Sequence, residues 1–135
     1  MNPDDENALA VVSDIVARRG QFGHPQHLEL AWTCLRSSTF EQAAQRVVAA
    51  IQGFAAHHGS GQRYHDTITR AWLRVVALHV SGSRAASFDD FIAAHPALMD
   101  QGLLGRHYSA ELLRSEAARI GWVDPDIRAF PALAA

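Results

Sequence analysis

Apolar residues recur at intervals of three and four along most of the chain, the spacing that gathers them on one side of an α-helix. The first such segment predicts a helix over residues 4–18. Asp4, Asp5 and Glu6 favour the positive end of its dipole. Gly20 follows its predicted end.

The next two helices are predicted from their end signals. One begins at Pro25, because proline is tolerated in a first turn, and ends near Arg36. Ser38 stands three residues before Glu41, a spacing in which two side chains satisfy each other's backbone donors at a helix start. A third helix is therefore predicted from this pair to Gly59, a residue type that commonly ends helices.

The second half of the chain predicts three more helices. Residues 64–80 keep helical spacing over a length too great for a typical strand. A short helix is predicted between Ser87 and Pro96, and a last one between Ser109 and Gly121. The sequence contains no strand pair with hairpin signals. It predicts an all-α, single-domain helical bundle of about five to six helices.

Length and charge narrow the class of protein. The 135 residues fit one domain, residues 1–135, and 48% hydrophobic with 19% charged residues is a globular balance. A formal net charge of −2 gives no basic field for binding nucleic acid. The acidic start "MNPDDENALA" lacks the basic region of a secretory signal, and no apolar run approaches the roughly 18 residues of a membrane span. We expect a cytoplasmic protein with neither nucleic-acid nor membrane partners.

The chemistry open to the chain is limited by missing residue types. All twelve residues counted as Lys+Arg are arginine, so no lysine is present to form a Schiff base or a phosphate-binding loop. Cys34 is the only cysteine, which excludes an intramolecular disulfide, and its spacing predicts a buried structural thiol. Histidine, carboxylate, hydroxyl and arginine side chains remain.

The most distinctive candidates are histidines near helix starts. His24 and His27 precede the apolar face of the second helix, and His65 stands at the start of the fourth. Three converging imidazoles with an open position can hold zinc, copper or iron, so we predict a divalent metal site at these residues. His58 is a possible fourth ligand. The alternative is that inward histidines only satisfy backbone groups at helix ends.

Polar side chains around this site are predicted to orient a substrate: Tyr64, Thr67, Arg106 and Tyr108, with Arg119 as a further candidate. Arginine suits a carboxylate or phosphate, so the expected partner is a small, acidic molecule.

Across about residues 22–131 the chain resembles a family of small bacterial helical proteins that has no established activity. The resemblance rests on "FGHPQHLELAW", "GFAAHHGSGQRYHDTITRAWL", "SFDDFIAAHPALMD" and "HYSAELLRSEAARIGWVDPD". It implies that paired-histidine, Tyr-His-x-Thr and Tyr-Ser motifs act as a unit, at His24, His27, Tyr64, His65, Thr67, Trp72, Tyr108 and Ser109. Residues 1–20 lie outside it, and we expect an accessory or oligomerisation element there.

Two functional hypotheses follow. The first is a metal-binding protein that binds or acts on a small molecule, with the three histidines as ligands. The second is a metal-free helical module, a monomer or a homodimer, that binds a ligand and uses its histidines as structural caps.

Overall fold

The structure is a computed structural model that describes residues 3–133, with side chains from Asn7 onwards. All its regular elements are helices and no strand occurs between residues 3 and 133, so the all-α prediction is confirmed. The chain divides into two compact units, Met1–Tyr64 and His65–Ala135, each of which is described by itself. That the whole chain forms one domain stays a prediction.

The first unit contains three long helices that all contact one another. They are α1 (Pro3–Arg19), α2 (His24–Ser37) and α3 (Phe40–His57), followed by a short 3-10 helix, Gly61–Arg63. The predicted bounds are therefore close. The acidic start predicted for α1, Asp4 to Glu6, lies outside the described side chains.

The apolar face of α1 belongs to the core of this unit. Ala8, Val12 and Ile15 are almost fully buried, and α1 contacts both α2 and α3. The helices approach closely at Gly53, where a Cβ would lie 3.3 Å from a methyl carbon of Leu9. Helix α1 is thus an integral part of the three-helix unit. A role of this helix in oligomerisation stays a prediction.

A buried carboxylate joins the end of α1 to α2. The Glu29 side chain is only 6% exposed, and it accepts hydrogen bonds from Arg18 at 2.9 Å and from Arg19 at 3.0 Å. Arg18 also pairs with Asp14 on its own helix. Charge-assisted hydrogen bonds of this kind are among the stronger polar contacts in proteins. The two arginines at the end of α1 therefore hold the first two helices together.

The start of α3 differs from the prediction by one residue. The reciprocal cap is formed by Thr39, whose hydroxyl accepts from the Gln42 N–H, while the Gln42 side chain accepts from the Thr39 N–H. Ser38 instead donates to the carbonyl of Cys34 at 2.6 Å. The Ser38 and Glu41 cap was therefore wrong in register, because a better-placed pair lies one position on. The predicted stop is confirmed, since Gly59 has φ +72°.

The second unit has one long helix and several short ones. They are α4 (Asp66–Val80), α5 (Phe88–Ala94), 3-10 helices at Pro96–Met99 and Gln101–Arg106, α6 (Ala110–Leu113) and α7 (Glu116–Ile120). The long helix α4 contacts α7 and the 3-10 helix Gln101–Arg106. Its buried residues include Leu73, Val75 and Val76.

The predicted last helix is broken into α6 and α7. The Ser115 hydroxyl donates to the Leu112 carbonyl at 2.7 Å and accepts from the Ala118 N–H at 3.2 Å. Serine competes with the helix for backbone groups in this way, and so it ends one helix and starts another. After α7 the chain is irregular, as predicted. Among the described helices, none has the length and apolar character needed to cross a bilayer.

We expect removal of the two arginines and removal of the Glu29 charge to lower the free energy of unfolding by different amounts. An Arg18→Ala, Arg19→Ala double variant leaves a buried carboxylate without a partner, and should lower the free energy of unfolding by about 3 kcal/mol. Glu29→Gln removes the buried charge itself while Arg18 keeps its ion pair with Asp14, and should cost about 1 kcal/mol. Asp14→Ala, at an exposed ion pair, is the control, with an effect within about 0.5 kcal/mol. Urea unfolding measures all three, and an equal loss in the first two would contradict this account.

Candidate functional site

The paired histidines lie in the first turn of α2. Gly23 precedes this helix, and its N–H is held by the side chain of Gln26 at 2.7 Å. The His27 ring packs edge-on against Phe22, with ring centroids 4.4 Å apart. Burial lowers the pKa of His27 to about 4, with a smaller contribution from the charge of His24. His27 is therefore a neutral, packed imidazole at neutral pH.

Aromatic contacts continue from His27 to the end of α3. Phe22 lies 4.6 Å from Phe54, Phe54 lies 4.2 Å from His58, and His58 lies 5.2 Å from His57, all between ring centroids. These five rings form one continuous row of aromatic side chains. It links the start of α2 to the end of α3, so His58 joins His27 through packed phenyl rings.

His65 is the N-cap of α4. Its Nδ1 accepts a hydrogen bond from the Ile68 N–H at 3.1 Å, which fixes the proton of the neutral ring on Nε2. Nε2 lies 2.7 Å from the carbonyl oxygen of Leu113, to which it donates. Both nitrogens are thereby used. A metal site that includes His65 would require one of these bonds to break, because the ring has no lone pair left.

Thr67 holds the segment after α7. It is completely buried, and its hydroxyl donates to the Gly121 carbonyl at 2.8 Å. The same oxygen accepts from the Val123 N–H at 3.1 Å. The two bonds fasten residues 121–123 to the first turn of α4.

Tyr108 fastens the same segment from another side. It is 1% exposed, and its hydroxyl donates to the Val123 carbonyl at 2.8 Å. Burial raises the pKa of Tyr108 to about 12, and the charge of Asp124 adds to the effect. The phenol is therefore a neutral hydrogen-bond donor, occupied within the protein.

The remaining predicted site residues lie in different settings. Tyr64 is half-buried directly after the first 3-10 helix, and its N–H donates to the Gly61 carbonyl. Arg106 is exposed at the end of the 3-10 helix Gln101–Arg106. Arg119 forms an ion pair with Glu116 on α7. The assignment of these residues to a substrate stays a prediction.

Sequence reasoning missed a second set of contacts to the C-terminal segment. The Asp126 carboxylate accepts from the Ser109 N–H at 2.8 Å and from its hydroxyl at 2.6 Å, which lowers the pKa of Asp126. His107 Nδ1 donates to the Arg128 carbonyl at 2.8 Å, and its ring stacks on Phe130. The motifs "HYS" and "WVDPD" contain His107, Ser109 and Asp126, but their pairing is not visible in the spacing.

Two further histidines also meet in the second unit. The ring centroids of His79 and His95 are 4.7 Å apart, and His79 Nδ1 donates to the Val75 carbonyl at 2.9 Å. Burial lowers the pKa of His95, and the charge of His79 lowers it further. Neither histidine belongs to the site predicted from the sequence.

Among the residues that the structure describes, no three histidine, cysteine, aspartate or glutamate side chains are grouped so as to hold a metal ion. No protein-family model matches the chain, and the searches of curated proteins and of solved structures found no match either. The metal site and the resemblance to a bacterial helical family therefore stay predictions.

The low pKa of His27 predicts acid-sensitive folding. The folded protein binds the proton less readily than the unfolded chain, whose pKa is near 6.5. Stability is therefore complete above pH 6.5 and is lost as pH falls towards 4. Between pH 7.5 and pH 5 the loss from this residue should be about 2 kcal/mol. Urea unfolding of His27→Gln should show a pH dependence smaller by that amount. His57→Gln, at an exposed position, is the control and should keep the wild-type pH dependence. An unchanged pH dependence in His27→Gln would contradict this account.

The contacts to Val123 can be separated by hydrogen exchange. Thr67→Val removes the acceptor of the Val123 N–H, so exchange of this amide should accelerate by about tenfold or more. Tyr108→Phe removes only the donor to the Val123 carbonyl, and should leave the Val123 amide better protected than in Thr67→Val. Amide exchange followed by NMR distinguishes the two variants. Equal acceleration in both would show that the segment is released as a whole.

Proposed function

We propose that this protein is a metal-free helical binding module whose partner is held by non-covalent contacts. The observation that carries the proposal is the double hydrogen bonding of His65, which uses the lone pair that a metal ligand needs. In this proposal the histidines of the predicted site hold helix ends and pack against aromatic rings. This is the second of the two hypotheses drawn from the sequence.

The hydroxyl groups of the predicted site support the same proposal. Groups that act on a substrate must reach it, whereas Thr67 and Tyr108 are buried and bonded to backbone groups near Val123. Their contribution is to fix the C-terminal segment. A binding module needs such a rigid scaffold but no reactive side chain.

A metal-binding function at the start of α2 is the second candidate. One observation favours it: His27 is neutral at physiological pH, and only the neutral imidazole coordinates metals. Its low pKa is explained first by burial, however, and coordination by His65 would break one of the two hydrogen bonds of that ring. We therefore place the metal-free module first.

The partner in this proposal is a small, acidic molecule, as arginine is the only strongly basic residue type in the chain. A homodimer is also part of it. Ile120, Trp122 and Ile127 are 68%, 38% and 58% exposed within eight residues of the second unit. Clustered exposed apolar side chains are typical of protein contact surfaces.

Replacing His65 tests the choice between cap and ligand. His65→Ala should lower the free energy of unfolding by about 2 kcal/mol, because the helix cap and the bond to Leu113 are both lost. His65→Asn should recover about half of this, since asparagine is a strong N-cap. His57→Ala, at an exposed position, is the control and should have little effect.

The wild type and both His65 variants, each purified without an affinity tag, are then analysed for bound metal. We expect no stoichiometric metal in the wild type and no change in melting temperature when a chelator is added. A stoichiometric metal that is lost in both His65 variants, with a melting temperature lowered by chelator, would overturn the proposal in favour of the metal site.

A further inference from the structure

Two imidazole rings lie in contact in the second unit. His79 stands in the last turn of α4, and His95 directly follows α5. Their ring centroids are 4.7 Å apart, and both residues are half-buried. Two rings at this distance pack well while at least one of them is neutral. When both carry a proton they repel each other, and partial burial weakens the screening of that repulsion by water.

His79 can take up a proton without moving. Its Nδ1 donates to the Val75 carbonyl at 2.9 Å, so the lone pair of the neutral ring is on Nε2. Protonation of Nε2 leaves the bond to Val75 intact. A positive charge in the last turn of a helix is also stabilised by the helix dipole. A charged His79 therefore stays on α4, close to His95.

The surroundings of His95 oppose a charge on its ring. The His95 ring contacts Phe91, which is fully buried, with ring centroids 5.1 Å apart. Burial lowers the pKa of His95, and the charge of His79 lowers it further. Of the two histidines, His95 is therefore the one whose charged form is less compatible with the observed packing.

The other titratable groups of the surrounding elements lie elsewhere on them. The 3-10 helix Pro96–Met99 contains none. On α4, α5 and the adjoining connections they are Asp66, Arg70, Arg74, Arg84, Asp89, Asp90 and Asp100. Asp66 and Arg70 form an ion pair, Arg74 acts on Tyr108, and Asp100 caps the next 3-10 helix. Arg84, Asp89 and Asp90 are exposed. The charge that lowers the pKa of His95 is that of His79.

The backbone of His95 joins two helices. Its N–H donates to the Ile92 carbonyl at the end of α5, and its carbonyl accepts from the Leu98 N–H in the 3-10 helix Pro96–Met99, both at 3.1 Å. Leu98 is 1% exposed. Because the ring and these backbone groups belong to one residue, a displacement of the ring acts directly on the joint between the two helices.

We propose that the contact between His79 and His95 is a pH-sensitive joint that opens when both rings are charged. His95 then leaves His79 and Phe91, and its bond from Leu98 is loosened. A group with a lowered pKa in the folded state stabilises that state above its usual pKa of about 6.5, and this stabilisation is lost as the pH falls. The joint is therefore closed at neutral pH, and acid uncovers the apolar ring of Phe91. This proposal goes beyond the binding function and does not depend on it.

The first test measures the coupling of the two charges in the full-length protein. Imidazole signals are followed by NMR from about pH 8 to about pH 4.5, which covers the titration range of histidine. The His95 signal is assigned by its loss in His95→Gln. In His79→Gln the neighbouring charge is absent, so His95 should take up its proton at a higher pH than in the wild type. His57→Gln, at an exposed position, is the control and should leave the His95 titration unchanged. An unchanged titration of His95 in His79→Gln overturns the proposal.

The second test is amide exchange at Leu98, which reports opening of the joint. Between about pH 7 and about pH 5 its protection factor, corrected for the intrinsic pH dependence of exchange, should fall about tenfold in the wild type. The change should stay within about twofold in His79→Gln and in His95→Gln, which cannot form a doubly charged pair.

The Val123 amide, bonded to Thr67 in the same unit, is the reference and should keep its protection factor. A constant protection factor at Leu98 in the wild type overturns the proposal. So does a fall that both variants retain, or one that the Val123 amide shares, because the opening would then not arise from the two charged rings.

Discussion

The His65 ring has only two nitrogens, and the backbone of the second unit needs both. Its Nδ1 accepts from the Ile68 N–H in the first turn of α4, and its Nε2 donates to a carbonyl 48 residues further along the chain. Backbone groups at helix ends must find partners when they are buried. Because one side chain meets this need at two distant points, the ends of α4 and α6 are fixed relative to each other.

The neighbouring polar residues follow the same principle. The Thr67 hydroxyl bonds to backbone groups 54 and 56 residues further along the chain. The Tyr108 hydroxyl donates to the carbonyl of Val123. Short helices such as α6 and α7 gain little stability from their own hydrogen bonds. Long-range bonds from buried side chains supply the order that the short helices lack. Residues that resemble catalytic groups by type are thus explained by the requirement that buried polar groups be satisfied.

The sequence predicts the helices of this chain better than its site. Periodicity marks α1 to α4 because a helix depends on residues within one or two turns. Helix ends are harder, since Ser38 and Thr39 are both good caps and only the packed structure decides between them. Ser115 ended a helix that looked continuous, because its hydroxyl found local backbone groups. Helical spacing also placed His65 correctly at a helix start. Its bond to Leu113 depends on tertiary structure, and so its role could not be derived from spacing.

Glu29 shows how the first unit satisfies a buried charge from its own residues. Glu29 receives one arginine on each carboxylate oxygen, so both of its oxygens are already engaged. Arg18 also bonds to Asp14, so the end of α1 carries a small network of charges and not a single ion pair. Removing either arginine would leave one buried oxygen of Glu29 without its charged donor. The chain must therefore place Glu29 on α2 and both arginines at the end of α1 together, because the buried carboxylate depends on all of these contacts.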